Sequence, residues 1–142
     1  MDAVKYLSML IPYSGEVALI KLAGYTVAGA LLRRVYGSRF NYLIFGLLRF
    51  VAGSIVWLAI GLLLAAAIPP DKYANVDSLA LLPERIIVWV GLIFVVFQIN
   101  HPKGPGRFCL CVLAGIGWSY GLDGVVALLR WLIPSFGTTA WC

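Results

Sequence analysis

From Phe50 to Ile68 the chain carries no charged residue, and the run closes on Pro69-Pro70. At about 1.5 Å of rise per residue, a helix of this length matches the hydrocarbon core of a bilayer. The Leu, Ala, Ile and Val residues show no two-residue alternation, so the backbone is satisfied in lipid as a helix and not as a barrel strand. With its polar lead-in the pattern predicts a transmembrane helix over residues 41–68. Gly46, Gly53 and Gly61 fall near one face of it, a stripe suited to close packing.

Three further segments repeat the pattern. Residues 15–36 form an apolar helix with Glu16 in its first turn, where a carboxylate suits the helix dipole, and Arg33-Arg34 at its end. Residues 83–100 form a third helix, with Pro83 suited to its first position. Glu84, Gly91 and Gln98 recur at sevens, so they share a face expected to point at other helices, with Gln98 hydrogen-bonding across. Residues 108–133 form a fourth helix. Gly117 and Gly121 make a small-xxx-small match, extended by Gly124 and read as a packing edge. The turns are marked by Gly37-Ser38-Arg39, by the polar stretch 69–78, and by His101-Pro102-Lys103-Gly104-Pro105. Before the first helix, Asp2, Lys5 and Ser8 recur every third residue with apolar residues between them, so residues 2–11 read as an amphipathic segment lying in the membrane interface. No cleavable signal is expected there, because the start lacks a basic head followed by a short apolar core.

The fold class expected is therefore all-α: a polytopic membrane protein, one domain over 1–142, built as a four-transmembrane-helix bundle with a short interfacial N-terminal segment. Composition agrees. The 142 residues are 62% hydrophobic and 12% charged, with mean hydropathy +0.95, outside the soluble globular range. The net charge of +5 does not point to nucleic acid, because Lys and Arg gather at helix ends and do not interleave with aromatics along a face.

Charge also orients the chain. Arg33, Arg34, Arg39, Lys103 and Arg107 lie at one end of the predicted bundle, with Arg49 slightly deeper and expected to snorkel toward that interface. All six acidic residues lie toward the other end. The positive-inside rule then makes turns 37–40 and 101–107 cytoplasmic, with both termini and loop 69–78 outside. This asymmetry best fits a bacterial inner membrane.

Candidate chemistry centres on Asp123. It sits inside the fourth helix, roughly 10 Å from the outer boundary, where an unpaired carboxylate is costly. Lys21 reaches a similar depth in the first helix, so the two are expected to meet. Ser119 and Arg130 share the face of Asp123, and Glu16 lies toward the same outer end. This polar stripe can be an ion pair that sets helix register, a solute or proton pathway, or a cradle for a lipid phosphate. Glu84, Gln98 and Arg49 are secondary candidates. No catalytic residue is assigned: phosphate loops, dinucleotide fingerprints, His-Glu-x-x-His and Gly-x-Ser-x-Gly are all missing. No cofactor or metal is expected. One histidine and three cysteines cannot supply a conventional Cys/His zinc set, and Cys109 and Cys111 read as packing residues. The leading expectation is a non-enzymatic membrane protein acting through helix–helix association, as a homo-oligomer or with other membrane subunits, the bilayer being its other partner. A small transporter or channel stands second, and an intramembrane lipid-modifying enzyme third.

Overall fold

A computed structural model describes the backbone of residues 15–67 and 77–136, with side chains over 15–63 and 82–136. Among these residues four helices follow in order: α1 (Gly15–Tyr36), α2 (Tyr42–Ala67), α3 (Asp77–Ile93, continued by a π-helical turn Phe94–Gln98) and α4 (Pro105–Leu132). No strand occurs among the described residues. The predicted interfacial segment 2–11 and most of the 69–78 loop lie outside them.

Each helix packs on the next, and α4 closes back onto α1. One core runs along the axis, from Tyr25, Ala28, Leu32 and Tyr36 of α1 to Phe45 of α2, Trp89, Ile93 and Phe97 of α3 and Val112 of α4. Aromatic rings hold its middle: Phe45 lies 6.1 Å from Trp89 and 5.4 Å from Phe97, and Tyr25 meets Trp89 edge-on at 6.3 Å.

Among the described residues three helices are long and apolar enough to cross a membrane: Gly15–Tyr36, Tyr42–Leu63 and Pro105–Leu132. α3 is shorter before its π-turn and less clearly apolar. The outside of the bundle is apolar. Leu63, Leu110, Leu113 and Trp131 are each more than 60% exposed. The inside holds charge: Lys21, Arg49, Glu84 and Arg85 are each under 9% exposed. Water-soluble domains bury the first kind of residue and almost never the second unless paired. Lipid reverses the cost on the outside, and pairing offsets it on the inside.

Two helix starts differ from expectation. α3 begins at Asp77 and runs through Pro83, which is interior rather than first. Asp77 and Ser78 are therefore helical and not part of the loop. α4 begins at Pro105, so Pro105-Gly106-Arg107 is its first turn rather than the end of the preceding one. Proline fits there because the first N–H of a helix has no intrahelical acceptor.

The π-turn has a packing reason. The buried residues of α3 come in pairs four apart: Glu84 and Arg85, Val88 and Trp89, then Ile93, then Val96 and Phe97. From Arg85 to Phe97 the chain runs about 1.2 residues past three ideal α-turns. A wider turn absorbs that excess and keeps Phe97 facing the core. Gly91, before the wider turn, is exposed, and a side chain there would meet no neighbour within 4 Å. Glu84 and Gly91 stay within about 20° of each other on the α-helical part, yet only Glu84 meets another helix, and the wider turn takes Gln98 off their face. Gln98 instead closes the turn after α3: its amide donates to the Lys103 carbonyl at 2.7 Å and accepts from the Lys103 N–H at 3.2 Å.

Candidate functional site

All four helices contribute to a charged centre in the half of the bundle away from the 37–41 and 99–104 turns. α1 brings Lys21 and Tyr25, α2 brings Arg49, α3 brings Glu84, Arg85 and Trp89, and α4 brings Ser119, Tyr120 and Asp123.

Asp123 is bound from two sides. Lys21 Nζ lies 2.7 Å from its Oδ1, and Arg85 Nη2 donates to its Oδ2. The cations are closed in, while the carboxylate is 34% exposed. The Arg85 guanidinium also lies over the Tyr120 ring at 3.7 Å. Its Nη1 has no hydrogen-bond acceptor, and the electron-rich ring face compensates part of that loss.

The second pair is deeper. Arg49 Nη1 donates to Glu84 Oε1 at 3.2 Å. Arg49 is 2% exposed and Glu84 6%. Two rings flank the guanidinium, Tyr25 at 4.8 Å and Trp89 at 5.3 Å. Gly53, one turn further along α2, leaves the slot open. A methyl group there would collide with Arg49 Nη1 and sit 3.0 Å from Glu84 Oε1. This corrects the expectation that Arg49 snorkels to the basic end. The slot and the carboxylate draw its head inward, into a site where it is both paired and stacked.

A neutral bond joins the two layers. Trp89 Nε1 donates to Ser119 Oγ at 2.9 Å, with both residues buried. Behind it Gly115 presents bare backbone to the indole, and any side chain there would overlap the Trp89 ring.

The predicted site residues thus separate. Lys21, Asp123, Ser119, Glu84 and Arg49 all join the centre. Arg130 is exposed, and both oxygens of Asp123 are taken by other cations. Glu16 is half-buried in the first turn of α1. Of the glycines, Gly46 packs tightly on Thr26 of α1 and Gly53 roofs the Arg49 slot, whereas a side chain added at Gly61 would meet no other part of the bundle within 4 Å. Gly117, Gly121 and Gly124 likewise meet nothing within 4 Å. They do not pack on the other three helices. Cys109 is exposed and so is not a core packing residue; Cys111 is half-buried against the core.

Arg85, Trp89, Tyr120 and Gly115 were not singled out from the sequence. A signal for Gly115 existed. Ser119 and Asp123 mark one face of α4 at a spacing of four, and stepping back by four from Ser119 lands on Gly115. Arg85 was legible only as the neighbour of Glu84. Consecutive helical residues point about 100° apart, so the two serve different helices.

An apolar exterior around a paired ionic centre defines an integral membrane protein of the helical-bundle class. No protein-family model matches the chain, and no characterised protein or solved structure does. Among the described residues no three His, Cys, Asp or Glu side chains gather as a metal site.

Proposed function

We propose that this chain is a four-span membrane protein that works through helix–helix association, as a homo-oligomer or as a subunit of a larger membrane assembly. The observation that carries the reading is the glycine edge of α4. Gly117, Gly121 and Gly124 face away from the bundle with nothing against them. Trp118, Leu122 and Val125 border the same groove. In lipid, bare backbone of this kind allows another helix to approach closely. The inner charges meanwhile lock the four helices to one another, the arrangement a rigid building block requires.

α3, extended by its π-turn, serves as the fourth span. The basic turns face the cytoplasm of a bacterial inner membrane on this reading, supported by the charge asymmetry. A cysteine at Arg39, in a variant without native cysteines, then resists an outside-only thiol reagent and reacts after the membrane is opened. Reaction from outside would overturn the orientation. Ser38 is unsuited to this test, because it is buried at 8% exposure.

Native mass spectrometry in mild detergent tests association. The wild type is expected with further copies or other subunits attached, and Gly121→Ile is expected to release the single chain. A wild-type chain that is monomeric with its lipids retained would refute the reading.

One observation favours a second reading, a small solute, ion or lipid transporter built on Lys21, Asp123 and Glu16. The Asp123 carboxylate reaches the surface while its cations do not. Transport that disappears in a folded Asp123→Asn variant would move this reading ahead.

A further inference from the structure

Two basic turns meet at one end of the bundle. Tyr36 and Phe40, on either side of the first turn, both pack on Phe97, stacked at 5.3 Å and edge-on at 6.2 Å. Phe108 at the start of α4 meets Phe94 at 6.4 Å. Arg33, Arg34, Arg39, Lys103 and Arg107 therefore lie in or beside two turns that these ring contacts hold at the same end. Arg34, Arg39 and Arg107 are exposed, and Arg33 and Lys103 half-buried.

The backbone that carries these cations is held in place. Gly37 takes φ 65°, a conformation that favours glycine, and α1 ends with Ser38 N–H donating to the Arg33 carbonyl at 3.1 Å. Gln98 clasps Lys103 through both backbone groups. In both turns a basic residue directly precedes an aromatic that packs inward, Arg39-Phe40 and Arg107-Phe108. The packed ring fixes where the neighbouring guanidinium emerges.

Among the described residues no carboxylate neutralises this end. The sequence has no Asp or Glu between residues 17 and 70, or between 85 and 122. Glu84 lies about 20 Å along α3 from Phe97, and Asp123 about 24 Å along α4 from Arg107, at 1.5 Å per residue. Arg49 is already committed to Glu84.

We infer that this basic collar binds the headgroups of anionic phospholipids, whose phosphate oxygens accept hydrogen bonds from Arg34, Arg39 and Arg107. Lipid fits better than nucleic acid or an acidic protein because apolar surface begins directly beneath the cations. Val35, Leu43, Leu110 and Leu113 are exposed within about two turns of them. One molecule with an anionic head and an acyl tail satisfies both surfaces.

The test uses the full chain, delipidated in mild detergent and titrated separately with phosphatidylglycerol and phosphatidylcholine, with bound lipid counted by native mass spectrometry. The wild type is expected to retain phosphatidylglycerol preferentially, and rising salt should erase the preference. At about fivefold per basic side chain, Arg34→Gln with Arg39→Gln and Arg107→Gln should weaken phosphatidylglycerol binding on the order of a hundredfold. The same positions changed to Lys should keep the preference, as should Arg130→Gln at the other end. Equal retention of the two lipids overturns the inference. So does a preference that salt does not touch, or one that survives the triple Gln substitution. Displacement of the lipid by inorganic phosphate would assign a free-anion site instead, and nucleic acid or an acidic protein found on the collar in place of lipid would also overturn it.

Discussion

Glu84→Gln removes the carboxylate from a guanidinium that cannot retreat. Arg49 is 2% exposed and hemmed by Tyr25, Trp89 and Gly53. With charge centres about 4 Å apart and an effective dielectric constant near 20, the attraction is about 4 kcal/mol. The rings recover up to about 2 kcal/mol as cation–π contact, but they do so in wild type and variant alike. Breaking a buried pair from one side costs about 3–5 kcal/mol, because the surviving charge is left in a closed site. Glu84→Gln and Arg49→Met should therefore each destabilise by about 3 kcal/mol or more. Combined, the two leave no charge behind, and the double variant should fall within about 2 kcal/mol of wild type. The assay is reversible unfolding in mixed micelles at rising dodecyl sulfate fraction, followed by helical circular dichroism. The quantity of interest is the coupling energy of the double-mutant cycle. It should be about 3 kcal/mol or more, well above the roughly 0.6 kcal/mol typical of neutral interhelical hydrogen bonds in membranes. A coupling below about 1 kcal/mol would show that the pair is hydrated in the membrane, and the closed-slot reasoning would fail.

The same unfolding assay separates the outer cluster, where Asp123 serves two cations. Lys21→Gln with Asp123→Asn should remain destabilised by about 2 kcal/mol or more, because Arg85 stays buried without its carboxylate, and adding Arg85→Gln should recover most of the loss. Gly115→Ala places a methyl group against the Trp89 ring and should cost about 1–3 kcal/mol by overpacking, while Gly121→Ala should leave the isolated chain within about 0.5 kcal/mol of wild type. Equal effects at the two glycines would contradict the division of α4 into inner and outer faces. Ser119→Ala strips the acceptor from Trp89 and should cost about 1 kcal/mol, with no loss in a Trp89→Phe background. A loss that persists there would mean the hydroxyl serves something else.

Much of the helical layout was legible because composition and length decide it in lipid. α1 spans Gly15–Tyr36 and α2 Tyr42–Ala67, close to the apolar runs that predicted them. The start of α3 was not legible. Polar Asp77 and Ser78 resemble a loop, and proline resembles a helix start, so hydropathy placed the boundary at Pro83. Within the site, Lys21 and Asp123 were paired by depth alone, since each carries a charge that membrane interior tolerates only with compensation. Arg49 departs from its expected place for the converse reason. Snorkelling is open to any arginine near an interface, and only the vacancy over Gly53 and the rings of Tyr25 and Trp89 make the inward route better.

By itself, then, the sequence determined a chain of apolar helices with basic turns at one end and charges that must find partners. Those properties follow from local solvation: each residue's transfer cost is set by its own chemistry and by helical length. Which charge meets which was decided by tertiary structure. Arg85 rather than Arg130 completes Asp123, Glu84 takes Arg49, and the edge Gly117–Gly121–Gly124 is left open while Gly115 and Gly53 are filled. These outcomes depend on how each helix is rotated about its axis. Steric fit between glycine backbone and aromatic rings, together with the π-turn that resets the register of α3, sets that rotation. Neither is visible in residue types read one helix at a time.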